Sequence, residues 1–255
     1  MKKMLVTSLA LGIMAIAGSA FAASVTYTPG AGIVGSVHDL SSGGVGAVYP
    51  TNDPQDRICV VCHAPHHALK PADYAATDFQ YLPLWNHELT TNTDWIMYSA
   101  GFDTPLSGGH ASYSTEMGGL APGGVSLLCL SCHDGTVAPN TYGFTPSSST
   151  NVADVATYGF GATNTTYLIG GGGDLSNHHP IGFSYEGAQL EDNEIAPSST
   201  SINTGVKTIA DLLYSDKMEC VTCHDVHNTE NEGEKLLWVS NDQSAFCCTC
   251  HLKCE

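Results

Sequence analysis

Cys220-Val221-Thr222-Cys223-His224-Asp225-Val226-His227 is the stretch on which the reading of this chain turns. Its core is a pair of cysteines three apart, followed at once by histidine. That core occurs four times: Cys59-Val60-Val61-Cys62-His63, Cys129-Leu130-Ser131-Cys132-His133, Cys220 to His224, and Cys247-Cys248-Thr249-Cys250-His251. C-x-x-C-H is the attachment sequence of c-type haem: two thiols add across the two vinyl groups as thioethers, and the following histidine is held against the iron. Zinc and disulfide frameworks also use paired cysteines, but neither requires a histidine after every second one. The sequence therefore predicts four covalently attached haems. Cys59, Cys62, Cys129, Cys132, Cys220, Cys223, Cys247 and Cys250 are the attachment points, and His63, His133, His224 and His251 the proximal ligands.

Each iron has a sixth position to fill. Beyond the N-terminal segment there are three methionines, Met97, Met117 and Met218, too few for four irons. Eight histidines remain: His38, His66, His67, His87, His110, His178, His179 and His227. Histidine on both faces of every haem is the expectation, and without Met ligation it implies low potentials suited to anaerobic respiration. His66 follows His63 by three residues, and His227 follows His224 by three. Three residues span about 10 Å at most, too little to pass round a haem and reach its other face. Each of these two is therefore expected to ligate a neighbouring haem. Among the rest, His38 and His179 are the preferred distal ligands, with His67, His87, His110 and His178 in reserve.

The surrounding sequence offers little with which to build a layered core. Charged residues make up 13% of the chain, and segments such as Gly108-Gly109, Pro146 to Thr150 and Gly170 to Gly173 read as loops. Ile209, Leu212 and Leu213 mark one expected short helix before Cys220. The N-terminus reads as a secretory signal over residues 1–22: Lys2-Lys3, an apolar run from Leu5 to Ala17, then Ser19-Ala20-Phe21-Ala22. Residues 23–255 then form a single domain. Without Lys2 and Lys3, six basic residues face 25 acidic ones, a net charge of −19. That balance argues against nucleic acid as a partner. Basic redox partners, cations or mineral surfaces suit it better.

Several segments together resemble the doubled-C-x-x-C-H multihaem cytochromes of metal-reducing bacteria. They are His38-Asp39-Leu40, Cys59 to His66, Pro83-Leu84-Trp85-Asn86, Ser126 to Gly135, His178 to Phe183, Cys220 to Asn228 and Cys247 to Lys253. With four haem motifs, the chain is most similar to the tetrahaem outer-surface members of that group, which polymerise into extracellular filaments, or nanowires. The resemblance implies a mostly irregular fold with short α-helices, wrapped round a stack of four bis-histidine haems. It implies a secreted homopolymer, passing electrons to redox proteins or to acceptors such as metal oxides. One distal histidine near the N-terminus would be given to the adjacent subunit, and His38 is the match. His66, His179 and His227 would supply the other distal positions.

Three functions follow in order: a subunit of a conductive filament, a discrete periplasmic or surface tetrahaem carrier, and a multihaem oxidoreductase. The last needs an open iron position, and enough histidines are present to close all four, so the chain is read as an electron-transfer protein rather than an enzyme. Arg57 is a candidate partner for a haem propionate, or else a solvated surface residue. Tyrosines and Trp85, Trp95 and Trp238 are candidates to pack on haem edges. Asp192, Asn193 and Glu194 follow no recognised metal-binding spacing. Cys248 and Cys254 fall outside the repeated pattern, and three fates stay open for them: pairing with each other, bridging to a neighbour, or remaining free.

Overall fold

Every C-x-x-C pair forms one turn of helix, because a separation of three returns the chain to the same face. In the computed structural model, Cys59–Val61 is a 3-10 turn, and Cys129 and Cys132 lie in helix α1 (Gly124–His133). After α2 (Tyr185–Glu191), the third and fourth pairs form the single turns α3 (Cys220–Cys223) and α4 (Cys247–Cys250). The histidine N–H closes the turn onto the first cysteine's carbonyl: His63 to Cys59 at 2.8 Å, His224 to Cys220 at 3.1 Å, and His251 to Cys247 at 3.0 Å. The structure describes residues 28–44, 46, 53, 55–66, 68–70, 84–98, 121–143, 167–202, 207–231 and 233–254. The expected signal segment, His67, His110, Met117, Pro83, Gly108-Gly109 and residues 146–150 lie outside the described residues.

Helix α1 is the longest of these elements. It starts at Gly123-Gly124 without a side-chain cap and ends where Gly135 takes φ +77°, a left-handed stop that suits glycine. Ser126, Leu127, Leu128, Leu130 and Ser131 are all buried, so the helix has no solvent-facing half. Helix α2 begins at Ser184, whose hydroxyl accepts the Gly187 N–H at 3.1 Å. The expected helix at Ile209 is a 3-10 turn, Ile209–Leu212, opened by a reciprocal Thr208–Asp211 cap. The one sheet among the described residues is the antiparallel pair β1 (Ser201–Ile202) and β2 (Lys207–Thr208), with Ser201 opposite Thr208 and Ile202 opposite Lys207.

The apolar interior comes in two small clusters. One holds Phe183, Tyr185, Ala196, Ile202, Ile209, Leu212, Met218 and Phe246, with Cys223, Cys250 and Trp238 against it. The other holds Leu69, Leu89, Leu127 and Leu128, with Trp85, Trp95 and Val125 alongside. Both clusters sit against the helical turns that carry the cysteines. Elsewhere the described chain is mostly irregular.

Candidate functional site

Leaving its helical turn, each C-x-x-C-H histidine is pinned between backbone hydrogen bonds. His63 pairs with Trp85 through Ala64 N–H to Leu84 O (3.0 Å) and Asn86 N–H to Cys62 O (2.8 Å). His224 pairs with Leu237 through Asp225 N–H to Leu236 O (2.8 Å) and Trp238 N–H to Cys223 O (3.2 Å). His251 pairs with Ile195 through Ala196 N–H to Cys250 O and Leu252 N–H to Glu194 O, both 2.8 Å. At the C-terminus of α1, the His133 carbonyl accepts the Ile169 N–H at 2.7 Å. Fixing the backbone on both sides of a ligand removes most of the freedom its ring would otherwise have to lose.

Three of the four histidines face a second imidazole. His63 and His227 lie with ring centres 6.1 Å apart and planes at 21°. His133 and His38 are 6.2 Å apart at 77°, and His251 and His179 are 6.3 Å apart at 62°. A histidine nitrogen bonds a transition metal at about 2.0–2.1 Å, and the ring centre lies roughly 1.1 Å behind it, so two imidazoles sharing one ion from opposite sides have centres about 6.3 Å apart. All three spacings match that value; an ion held there would take an in-plane nitrogen from each ring. His227 faces His63 rather than His224, as its short tether to His224 requires. Among the described residues no second ring lies against His224, and His66 is exposed. The resemblance implied that His38 serves an adjacent subunit; here it lies against His133 of its own chain.

Hydrogen bonds leave the ring nitrogens placed for such a role. Nδ1 of His133 lies 2.9 Å from the Tyr167 carbonyl, that of His224 2.9 Å from the Lys235 carbonyl, and that of His179 2.8 Å from the Pro180 carbonyl. Nδ1–H donation to a carbonyl fixes the tautomer that leaves Nε2 bare for a metal. Nδ1 of His38 is buried without a hydrogen-bond partner, the kind of orphaned polar atom that a ligand accounts for. Burial, with help from the nearby His133, His224 and His227, holds the His38 imidazole far below its usual range, at about 3. Burial also lowers His133 and His224. Neutral imidazole is the form that binds metal.

An aspartate follows three of these histidines, in His38-Asp39, His133-Asp134 and His224-Asp225, and each carboxylate closes a turn. Asp225 accepts the N–H of His227 (3.0 Å) and of Thr229 (2.7 Å), and the Thr229 hydroxyl (2.8 Å). Next along, Asn228 donates to the carbonyls of Thr28 and Gly32, each at 2.9 Å, and accepts the Gly30 N–H at 3.0 Å. This clamp fixes the segment that leads to His38. Asp39 accepts the Gly35 N–H at 2.8 Å, and Asp134 accepts the Thr136 N–H at 2.8 Å.

The cysteines are mostly held as thiols. Burial pushes Cys62 and Cys223 up to about 12 and also raises Cys132 and Cys250. A dithiol redox centre works through the opposite shift. Helix α1 packs on α3 and brings Cys129 and Cys220 near enough to raise the first thiol and lower the second, while the Cys129 thiol donates to the Val125 carbonyl at 3.6 Å. Cysteines of two different motifs are thus neighbours. Beside them Ser126 donates to Glu219 and accepts the Cys220 N–H at 3.0 Å. Glu219 is 2% exposed, and burial pushes its carboxyl up to about 8 against the Ser126 bond.

Other candidates divide. His87, expected as a surface reserve, is fully buried with its ring nitrogens 2.7 Å from the Glu88 carbonyl and 3.0 Å from the Ala138 carbonyl. Its neighbours are the Glu88 and Ala138 carbonyls, the Trp85 ring at 6.4 Å between centres, and Cys132, not a proximal histidine. Arg57 is taken up by Asp53, at 2.8 Å. Glu194 pairs with Lys253. Met218 is buried in the larger apolar cluster, and Trp85 lies edge-on to His63. Cys248 and Cys254 form a disulfide. Among the described residues no three histidines, cysteines or acids converge on a common metal position; a haem iron takes two protein ligands, the macrocycle supplying the rest. No protein-family profile matches the chain, and no curated protein is significantly similar to it.

Proposed function

We propose that this chain is a tetrahaem c-type cytochrome that passes electrons between bis-histidine haems, as a subunit of an extracellular filament. The observation that carries the haem reading is the three-fold pairing of a C-x-x-C-H histidine with a second imidazole at 6.1–6.3 Å. When bound, haem supplies one-electron chemistry at iron. The chain's residues do the rest. His63, His133, His224 and His251 would each hold an iron, and His227, His38 and His179 would supply the second protein ligand beside His63, His133 and His251. By reciprocity His66, tethered to His63, is assigned to the iron of His224. The three-residue links within His63–His66 and His224–His227 keep two irons near each other. The nearness of Cys129 and Cys220 would likewise bring the second and third attachment sites together. Two ligands per iron leave no coordination site for a substrate, which favours electron transfer over catalysis.

Filament formation rests on the resemblance alone. A discrete secreted carrier is the second reading, and the place of His38 on its own chain favours it. The haem-loaded protein from its native host decides between them. Four haems per chain and a wholly low-spin spectrum are expected of either reading, and fewer haems or a large high-spin fraction would refute the assignment. Negative-stain microscopy with an antibody to this chain should show labelled filaments; uniform single particles would leave the carrier.

A further inference from the structure

The fourth motif, Cys247-Cys248-Thr249-Cys250-His251, differs from the other three in holding a third cysteine. A thiol at Cys248 has the same chemistry toward a vinyl group as the thiols beside it. In the folded chain Cys248 is not a thiol, because it is joined to Cys254, with Cα atoms 5.3 Å apart. Cys247 and Cys250 stay free and share one face of α4. Asn241 turns the first of them: its Oδ1 accepts the N–H of Phe246 at 3.2 Å and of Cys247 at 3.4 Å, and lies 3.5 Å from Cys247 Sγ. Cys250 packs against the cluster that holds Tyr185, whose hydroxyl donates to the Ala196 carbonyl at 2.8 Å.

These contacts select the right pair only once the chain has folded. The disulfide can act earlier. It links residues six apart, so its loop closes without any tertiary contact, on the timescale of local chain motion. We propose that the Cys248–Cys254 disulfide protects haem attachment at the fourth motif: it withholds Cys248 from vinyl addition, so that Cys247 and Cys250 form the two thioethers. The inference rests on the haem reading above. Disulfide formation takes two electrons and two protons from Cys248 and Cys254, and a protein disulfide of the exporting compartment accepts them by thiol–disulfide exchange. Thioether formation is redox-neutral: sulfur bonds one vinyl carbon, and the thiol proton ends on the other.

The test is peptide mass mapping of the haem-loaded full-length chain, comparing wild type with Cys254→Ser and with the double variant Cys248→Ser/Cys254→Ser. Wild type should give a C-terminal haem peptide bonded through Cys247 and Cys250 and still carrying the disulfide. Cys254→Ser should give a mixture in which part of the haem is bonded through Cys248, and the double variant should return to the single Cys247/Cys250 product. A Cys254→Ser chain that fails to accumulate while the double variant accumulates normally also supports the proposal, since only the freed Cys248 distinguishes them. Uniform Cys247/Cys250 attachment in Cys254→Ser, with Cys248 a free thiol, overturns it. Equal loss of both variants overturns it too, leaving the bridge a folding staple. A wild-type chain without thioether peptides at any motif removes the haem reading itself.

Discussion

Replacing His227 with alanine tests the cross-motif pairing most directly. In the structure His227 lies beside His63, 6.1 Å between ring centres, while its tether runs to His224. The two histidines belong to different motifs, so the variant should open the iron of the first motif, not that of the third. One iron of four loses its sixth ligand, and about a quarter of the haem signal should move from low to high spin. Electron paramagnetic resonance of the oxidised protein measures that fraction, and added imidazole should reverse it. The site of the loss is fixed by a second background, Cys59→Ala/Cys62→Ala, which removes the first haem. There, His227→Ala should add no high-spin signal. Four low-spin irons in the single variant, or a high-spin signal that persists without the first haem, would refute the pairing.

Other outcomes follow from buried groups. Asp225→Ala removes the acceptor for His227 N–H, Thr229 N–H and the Thr229 hydroxyl, and should cost about 1–3 kcal/mol, read as a lower urea midpoint. Burial pushes the Asp225 carboxyl up, but its hydrogen bonds outweigh this and hold it below its usual range. Its contribution is therefore complete above the ordinary carboxylate range and is lost as pH falls through the depressed value. Glu219 has the opposite sign. Its folded value of about 8 against 4.5 means the folded chain holds the extra proton, so stability falls as pH rises from 4.5 to about 8 and is flat beyond. Glu219→Gln should flatten that slope in urea titrations across pH; an unchanged slope would assign it elsewhere. Gly182→Ala puts a Cβ 1.8 Å from the Ala121 carbonyl oxygen at φ +87°, and should cost about 3 kcal/mol or more. A Tm within a degree of wild type would contradict that geometry.

The repeated local unit was the legible part of this chain. The four C-x-x-C-H units were legible from spacing, though the helical turn each one forms was not read, and the three-residue tether pointed His227 away from His224, where the structure has it beside His63. The Ile209–Leu212 turn was visible from its apolar spacing. Longer-range features were not. The segments that pin the histidines, around Trp85, Ile195 and Leu237, have no strand period, since a single bridge needs none. Helix α1 lacks both a side-chain cap and a polar face, the two signals by which a helix is read. Burial of His87 depends on the Glu88 and Ala138 carbonyls, 51 residues apart from it in the latter case. The Cys248–Cys254 pairing was one of three open fates because cysteine count fixes no connectivity.

The Asn228 clamp bears on the order of assembly. It joins residues 200 apart, Asn228 and Thr28, whereas each C-x-x-C-H turn closes within five residues. Local turns form first, and long loops close late. His38 rides on the clamped segment, so the His133 site waits for almost the whole chain to be made. On the proposed reading, the second haem would gain both axial partners only after residue 228 is in place. Maturation then has a natural checkpoint: a five-coordinate iron there marks a chain whose two ends have not yet met.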